Sequence, residues 1–384
     1  MRRLGLLAVT SALVATFLAP SSAPAAAPEK QRATKVPALQ VTNAVTGLDI
    51  PWDVKNLPGG RLLIGERETA KLIVTHNGSK KVLSFPSSKV WTEGETGLMG
   101  LAVDPSFSKN RRIYTCQGGF KKGGGHDVRV VAWKMNSSYT GVSYQKVLVS
   151  GFPTTSGRHG GCRLLIAQNG AMIVGTGDAA VGTNPQNKRS FGGKTLRLDR
   201  FSGKPWPKNK WVRSKYKAKR YLYTYGHRNV QGLSQRSDGT IWSVEQGTDR
   251  NDEVNKLVKG GNYGWNPVPG YNESRPMTDF GLKGKQRGAK WSSGNPTLAT
   301  SGGSWVYGKQ WGDLNGTLAV AALKANRVVF MKFDKAGKLL WTRTPDALRH
   351  SGRLRSVTQA ANGDLLITTS NNDSDAVIRV HPKL

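Results

Sequence analysis

The sequence predicts an all-β fold, a six-bladed β-propeller, on the basis of three observations. One pattern, a turn with Gly or Asn followed by an apolar strand, occurs in six segments. The Asn-Gly and Asp-Gly pairs in these turns are typical of hairpins, because both central residues of a type I′ turn need positive φ. Long amphipathic helical patterns are missing, which argues against an α/β fold. The six segments are 58–64, 108–114, 168–174, 237–242, 314–319 and 361–367.

The spacing of these segments indicates blades that carry loop insertions of different length. A recurrence of roughly 45–80 residues is compatible with propeller blades of several strands each. Further strands are expected at Val128–Met135, Thr195–Leu198 and Arg327–Phe330. Two packed β-sandwiches are the rival arrangement, but they explain the recurrent turns less well. No linker rich in Pro, Ser or Gly divides the chain, so we expect one propeller domain over 28–384, with 28–40 as a flexible N-terminal segment.

Residues 1–27 have the pattern of a signal peptide. Two arginines precede the apolar run Leu4–Leu18, and small residues follow at Ala23–Ala27. The apolar run is too short to span a bilayer, and no later segment approaches that length. We therefore expect a protein without a transmembrane segment that is secreted into the extracellular space or held in the cell envelope.

The net charge of the chain is strongly positive. Lys and Arg outnumber Asp and Glu by 57 to 24, which gives +33. Such a charge often accompanies binding to nucleic acids or membranes. Here the basic residues occur in every segment, and no helix-turn-helix, zinc-finger or aromatic RNA-binding signature accompanies them. We interpret most of the charge as a solvated surface that favours association with an anionic cell wall, and we expect no nucleic-acid partner.

The two cysteines, Cys116 and Cys162, allow one disulfide in an exported protein. Two buried free thiols are the alternative. Both cysteines lie on strand-like segments close to the clusters described below, and we favour the bridge.

The sequence excludes several common enzyme classes. It has no phosphate-binding loop, no dinucleotide-binding glycine motif, no zinc-protease helix and no nucleophile elbow. The six histidines show no metal-ligand spacing. A zinc-dependent or NAD-dependent enzyme is therefore disfavoured.

A histidine and an aspartate on neighbouring loops form a candidate catalytic pair. His159 lies among glycines just before an apolar strand, and Asp178 ends the opposite arm of the hairpin that turns at Asn169-Gly170. A carboxylate bound to one imidazole nitrogen would fix the tautomer and raise the basicity of the ring. A structural or merely exposed histidine is the alternative.

Four more groups of polar residues lie further along the chain. Carboxylates and glycines in 245–253, followed by 260–265, suit Ca²⁺, which accepts carboxylate and backbone oxygens. Arg353 and Arg355 alternate on one strand, which places both guanidinium groups on the same face, where they could clamp a polycarboxylate. Arg228 and Lys324 lie in further polar loops. For each group alone, a solvated surface is the alternative interpretation.

Taken in order, these clusters resemble those of the soluble pyrroloquinoline-quinone (PQQ) dependent glucose and aldose sugar dehydrogenases, the glucose/sorbosone dehydrogenase family. The resemblance covers nearly the whole chain after residue 27 and includes the motifs 47–52, 97–105 and 259–265. It implies that His159 is the general base and that Asp178 orients it. It also implies that PQQ is contacted by Arg228, Asn229, Lys324, Arg353 and Arg355, that Gly247 and Thr248 hold a catalytic Ca²⁺, that Glu253 and Tyr263 belong to a second, structural Ca²⁺ site, and that Glu95 faces the substrate.

This chain departs from the family pattern at two of these positions. Thr248 replaces a proline of the glucose enzymes, although the backbone carbonyl group that would bind Ca²⁺ is kept. Glu95 replaces a glutamine that is frequent in the family, so the resemblance does not predict which sugar is the substrate. The implied activity is PQQ- and Ca²⁺-dependent oxidation of the anomeric hydroxyl of an aldose to a lactone, with an external electron acceptor. The alternatives are a non-catalytic propeller that binds cell-wall polysaccharide or a protein partner, and a polyanion-binding protein.

Overall fold

The computed structural model describes residues 36–372 and 374–383, and within this range it confirms the six-bladed propeller. The strands form six four-stranded antiparallel sheets. The innermost strand of each sheet contacts the innermost strands of the two neighbouring sheets. These six strands therefore form a closed ring around the axis. They begin at Pro51, Leu98, Gly161, Val230, Thr300 and Leu354. The predicted signal peptide, residues 1–27, lies outside the described residues.

Each blade except the last is built from four consecutive strands. Blade 1 contains β2 (Pro51–Leu57), β3 (Arg61–Glu66), β4 (Leu72–His76) and β5 (Ser79–Val82). Blade 2 contains β6 (Leu98–Val103), β7 (Arg112–Phe120), β8 (His126–Met135) and β9 (Val142–Phe152). Blade 3 contains β10 (Gly161–Ile166), β11 (Ala171–Thr176), β12 (Lys194–Asp199) and β13 (Leu222–Tyr225). Blade 4 contains β14 (Val230–Gln235), β15 (Ile241–Glu245), β16 (Glu253–Lys256) and β17 (Trp291–Ser292). Blade 5 contains β18 (Thr300–Val306), β19 (Thr317–Ala322), β20 (Arg327–Phe333) and β21 (Leu339–Arg343).

The last blade joins the two ends of the described chain. Strands β22 (Leu354–Gln359), β23 (Leu365–Thr369) and β24 (Asp375–Pro382) pair in order, and β1 (Leu39–Leu48) adds to β24 as the fourth strand. The pairing runs from Leu39 opposite Pro382 to Leu48 opposite Asp375. The prediction of a flexible segment over 28–40 therefore needs correction at its end, because Leu39 and Gln40 are already held in this sheet.

The six turn segments predicted from sequence all fall at the same place in a blade, between its first and second strands. Two of these connections contain a short helix, α1 (Phe107–Asn110) in blade 2 and a 3-10 helix (Lys309–Leu314) in blade 5. The other described helices are α2 (Lys217–Tyr221) and the 3-10 helices Ser87–Lys89 and Asp346–Leu348. None of these helices is long and apolar enough to cross a membrane.

The apolar core lies between the blades. Val130 of blade 2 packs in one buried cluster with Leu164 and Met172 of blade 3, and similar clusters join other neighbouring blades. Because the strands of a hairpin are antiparallel, the loop before the first strand and the loop after the second strand lie at the same end of the blade. Most of the predicted site residues occupy such loops or the adjoining ends of strands, so the fold gathers them at one end of the propeller. Tyr263 is different, because it follows β16, the third strand of blade 4.

The predicted disulfide is present and links two blades. Cys116 in β7 is bonded to Cys162 in β10, with their Cα atoms 5.4 Å apart. The described residues contain no free cysteine. The bridge lies three residues after His159 and therefore anchors the loop that carries the candidate base.

Candidate active site

His159 and Asp178 form a direct, buried pair. His159 precedes β10 and Asp178 follows β11, and His159 Nδ1 lies 2.8 Å from Asp178 Oδ1. The exposed fraction of the side chain is 3% for His159 and 0% for Asp178. Among the described residues, none hydrogen-bonds to His159 Nε2. The imidazole is therefore oriented through Nδ1, and its second nitrogen is left for a ligand.

Asp178 accepts hydrogen bonds from three other groups. The indole Nε1 of Trp265 donates to Oδ2 at 2.8 Å, and the hydroxyl of Tyr271 donates to the same oxygen at 2.8 Å. The amide of Ala180 donates to Oδ1 at 2.8 Å. Charge-assisted bonds of this kind hold a carboxylate in one orientation. Asp178 can therefore fix the ring of His159 without moving itself.

The backbone around the pair is closely packed. His159 has a left-handed φ of 53°. A Cβ atom added to Gly177, the residue before Asp178, would lie only 1.8 Å from the carbonyl oxygen of His159. A side chain at Gly177 would therefore push the two loops apart, which explains why a glycine is needed there.

Glu95 lies beside the candidate base, although it belongs to a different blade. Its Oε2 accepts hydrogen bonds from the amide of His159 and from Asn229 Nδ2, both at 3.2 Å. The side-chain oxygen of Asn229 in turn accepts a hydrogen bond from the amide of Gly161 at 3.1 Å. The structure thus brings together Glu95, His159 and Asn229, which the sequence placed in separate clusters.

Arg228 is buried and points toward a rim of charged residues. Its Nη2 donates to Glu273 at 2.5 Å, and Nη1 donates to the carbonyl oxygen of Gln246 at 3.2 Å. Its Nε is buried without a hydrogen-bond partner among the described residues. Burial would raise the pKa of Glu273, but hydrogen bonds from Arg158 and Arg228 hold it below its usual value. A cavity of about 480 Å³ opens here, lined by Arg158, Arg228, Thr248, Asp249, Arg250, Glu273 and Ser274.

A second group of arginines surrounds Arg355 on β22. Arg355 Nη1 donates to Gln231 at 3.3 Å, and its Nε is buried without a partner in the described part of the chain. Arg163 lies near it, stacks on Trp52 at 4.0 Å and pairs with Asp53 at 2.9 Å. Burial and the surrounding cations lower the pKa of Arg355 to about 9. These cations are Arg67, Arg163 and Arg353. The site therefore contains more positive charge than its own carboxylates neutralise.

Lys324 lies apart from the other predicted cofactor-binding residues. It follows β19, and its amide donates to the carbonyl oxygen of Leu298 at 3.1 Å. Its side chain is exposed, and no contact joins it to His159 or to the arginines within the described residues. The topology puts Lys324 at the same end of the propeller as His159.

Gly247 and Thr248, the predicted ligands of the catalytic Ca²⁺, lie in the loop after β15. The amide of Gly247 donates to Asp252 at 2.9 Å, and the hydroxyl of Thr248 donates to Asp249 at 2.9 Å. The carbonyl oxygens of both residues accept no hydrogen bond from the described residues. Two free carbonyl oxygens next to the cavity are suitable ligands for Ca²⁺, which needs further oxygen ligands from solvent or cofactor.

Glu253 and Tyr263, predicted for a structural Ca²⁺ site, are both buried. Burial and the neighbouring Glu245 raise the pKa of Glu253 to about 8. The hydroxyl of Tyr263 donates to the carbonyl oxygen of Lys256 and accepts from the amide of Val258, so it is not available to a metal. No group of three or more His, Cys, Asp or Glu side chains suited to a metal occurs in the described residues. A cation here would need the carboxylate of Glu253 together with main-chain oxygens.

Several residues that complete the site had no role predicted from the amino-acid sequence. Trp265 was part of a family motif, but only the structure shows that it binds Asp178. Arg163 follows the cysteine of the bridge in β10. Because successive side chains of a strand point to opposite faces, its position next to Cys162 could have marked it as inward-facing. Tyr271 and Glu273 lie in a loop without regular structure, and no pattern in the sequence marks them.

Comparison with known proteins identifies relatives over almost all of the described chain. The family model described as glucose/sorbosone dehydrogenase matches residues 48–379. An aldose sugar dehydrogenase of Escherichia coli is 25% identical over 88% of this chain and 91% of its own length. Quinoprotein glucose dehydrogenase B of Acinetobacter calcoaceticus is 30% identical over 56% of this chain and 50% of its own length. The PQQ-bound form of an aldose sugar dehydrogenase from Streptomyces coelicolor has the same fold, with a TM-score of 0.74, 24% identity, and coverage of 90% of this chain and 99% of that chain.

Proposed function

Because the chain belongs to the glucose/sorbosone dehydrogenase family, we propose that it is a PQQ- and Ca²⁺-dependent enzyme that oxidises the anomeric hydroxyl of an aldose. The observation that carries this proposal is the orientation of His159 by Asp178, which leaves Nε2 unbonded at the end of the propeller where several arginines have a buried Nε without a partner among the described residues. A propeller that only bound polysaccharide would not need this combination.

The residues present fit an anionic quinone cofactor. PQQ carries three carboxylates, and three arginines of the site, Arg67, Arg228 and Arg355, have a buried Nε that no described residue binds. Leaving a buried charged donor unpaired is unfavourable, so an anionic ligand that supplies acceptors would stabilise this arrangement. Arg228, Asn229, Arg353 and Arg355 would hold the cofactor, with Lys324 at the edge of the site. Gly247 and Thr248 would supply carbonyl ligands to Ca²⁺.

In the proposed reaction, His159 Nε2 removes the proton of the anomeric hydroxyl. When bound, PQQ supplies the acceptor for the hydride that leaves the anomeric carbon. Asp178 keeps the Nδ1 proton of His159 in place and stabilises the positive ring that results. Glu95 lies beside His159 and would accept a hydrogen bond from a sugar hydroxyl. The organic product would be a lactone, and the two electrons would pass to an external acceptor.

The location of the enzyme is part of the proposal. The predicted signal peptide would export the chain, and the high positive charge would favour association with an anionic cell envelope. This environment would give access to extracellular sugars.

The test is reconstitution of metal-free protein with PQQ and Ca²⁺ on a panel of sugars, followed by dye reduction. Activity that requires both additions, and that is lost in His159→Ala while PQQ still binds, is expected. A wild-type protein that binds no PQQ at any Ca²⁺ concentration would overturn the enzyme proposal and leave the polysaccharide-binding propeller in its place.

A further inference from the structure

The connection between β12 and β13 carries the most concentrated positive charge of the chain. Residues 204–220, which we name the basic insertion, contain eight Lys and Arg residues and no Asp or Glu. The acid-free stretch is longer still, because no acidic residue occurs from Arg200 to Ser237. Basic residues occur in every segment of the chain, but here they are concentrated without neighbouring acids.

The basic side chains of this insertion face solvent. None of them forms an ion pair with an acidic residue in the described part of the chain. Lys219 is half-buried, and the other seven are exposed. These seven are Lys204, Lys208, Lys210, Arg213, Lys215, Lys217 and Arg220. Their charge is thus available to a partner and is not used to stabilise the fold.

Aromatic rings hold several of these cations in place. Lys210 and Lys219 lie 5.2 Å and 6.0 Å from the ring centre of Trp211. A separate loop, the one that follows Asp178, adds Lys188 at 5.8 Å from the same ring. It also adds Arg189, which lies 3.8 Å from the ring centre of Tyr216 and donates to its hydroxyl at 2.6 Å. Cation–π contacts of this kind reduce the mobility of long side chains, so the cations are partly preorganised.

The same contacts bear on the chemistry of the partner. Single-stranded nucleic acids are bound by aromatic rings whose faces are open to stack on bases. Here the rings of Trp211 and Tyr216 are already approached by cations. These two rings therefore present charge instead of open stacking faces, which suits a polymer recognised through its repeated anionic groups. A third ring, Trp206, lines a cavity with Lys204 and Lys208, and the DNA probe described below tests whether it stacks on bases.

We propose that the basic insertion, together with Lys188 and Arg189, is a docking surface for a linear cell-surface polyanion built from sugars or polyols. Its phosphate or carboxylate groups would pair with the exposed cations. The surface lies at the edge of blade 3, where Trp211 packs at 6.0 Å against Tyr225, three residues before Arg228. This inference uses none of the proposed active-site residues and does not depend on the dehydrogenase reaction.

The test compares two variants that each lose four charges. In the first, Lys208, Lys210, Lys215 and Lys217 are changed to Gln; in the control, the exposed Lys121, Lys122, Lys335 and Lys338 of blades 2 and 5 are changed to Gln. The probes are poly(glycerol phosphate), polygalacturonate and double-stranded DNA. Binding is measured at an ionic strength of about 0.15 M and at several higher salt concentrations.

The insertion variant is expected to lose at least about tenfold in affinity for one of the first two polymers, while the control loses less than about twofold. The preferred polymer identifies the anionic group. Equal losses in both variants would show a net-charge effect and overturn the proposal, as would tighter binding of DNA or no binding of wild type. Sugar oxidation is measured in parallel: if no form of the protein is active, the proposed function fails, yet the binding comparison still decides this inference.

Discussion

Tyr271 touches both members of the candidate catalytic pair. Its hydroxyl donates to Asp178 Oδ2 at 2.8 Å and lies 3.0 Å from His159 Nδ1. The hydroxyl oxygen can therefore accept part of the Nδ1 hydrogen bond that Asp178 also receives. Tyr271 is separated from His159 by 112 residues and lies in a loop of another blade, so it ties the loops of two blades together at the pair.

Tyr271→Phe tests this positioning role. Loss of a hydrogen bond to a charged group costs about 1.5–3 kcal/mol, so kcat is expected to fall roughly 10- to 100-fold. The KM for sugar and the affinity for PQQ are expected to stay close to wild type, because Asp178 keeps its other donors. Tyr144→Phe, at an exposed tyrosine, is the control. A rise in KM without a change in kcat would contradict the assignment.

The same variant has a pH signature. Burial and the neighbouring Asp178 raise the pKa of Tyr271, so its hydroxyl keeps its proton throughout the assay range. Ionisation of Tyr271 is therefore expected to add no pH dependence to the ratio of wild-type to Tyr271→Phe activity between about pH 6 and pH 9. A ratio that falls toward high pH would show that Tyr271 ionises.

His159→Ala is expected to separate chemistry from binding. General-base catalysis contributes roughly 10²–10⁴-fold, so turnover should fall by at least that order. The titration of PQQ in the presence of Ca²⁺ should stay nearly unchanged, because His159 does not belong to the arginine groups. A parallel loss of cofactor affinity would mean that His159 holds the cofactor and is not the base.

Arg355→Met together with Arg353→Met is expected to have the opposite effect. Removing each charged hydrogen-bond donor costs about 1.5–3 kcal/mol of PQQ binding free energy. Activity should return in part at high PQQ concentration. Stability should not fall much, because Arg355 has a buried Nε without a partner in the described structure. Variants that stay inactive at saturating PQQ would place these arginines in the reaction itself.

Glu253 predicts a pH-dependent stability. Its pKa is raised from 4.5 to about 8 by burial and by Glu245, so the folded state favours the neutral acid. The stabilisation is full below about pH 4.5 and is lost as the pH rises through about 8. In the presence of a chelator, the Tm should therefore decrease as the pH rises from about 4.5 to about 8. The decrease should be smaller in Glu253→Gln. If Ca²⁺ binds here, adding it should raise the Tm of wild type more at high pH than at low pH. An effect of Ca²⁺ that is equal in both proteins would contradict a structural site at Glu253.

The disulfide predicts a measurable loss of stability on reduction. The bridge closes a separation of 46 residues, for which the chain-entropy model gives about 4 kcal/mol. Replacement of Cys116 and Cys162 by Ala should lower the free energy of unfolding by about 2–4 kcal/mol in a denaturant titration. Activity should fall more steeply on heating, because Cys162 anchors the His159 loop. Unchanged stability would show that the close packing of blades 2 and 3 suffices without the bridge.

Local patterns in the amino-acid sequence were sufficient to predict the strands, the turns and the order of the polar clusters. A hairpin turn depends on a few adjacent residues, so Asn169-Gly170 and Asn362-Gly363 could be recognised locally and were found between the first and second strands of their blades. In each of these pairs only the glycine has positive φ, so the predicted type I′ geometry is wrong although the position of the turn is right. Family motifs then placed His159 and Asp178, which are only 19 residues apart and share one hairpin.

The contacts between residues that are far apart in the sequence became visible only in the tertiary structure. Trp265 and Tyr271 reach Asp178 across 87 and 93 residues, and Glu95 reaches Asn229 across 134. Arg189 reaches Tyr216 from a neighbouring loop in the same way. These contacts depend on the closure of the ring and on the paths of irregular loops, where no hydrophobic period fixes the direction of a side chain. A local sequence pattern cannot predict contacts between residues so far apart in the chain, because these contacts arise from the packing of whole blades against one another.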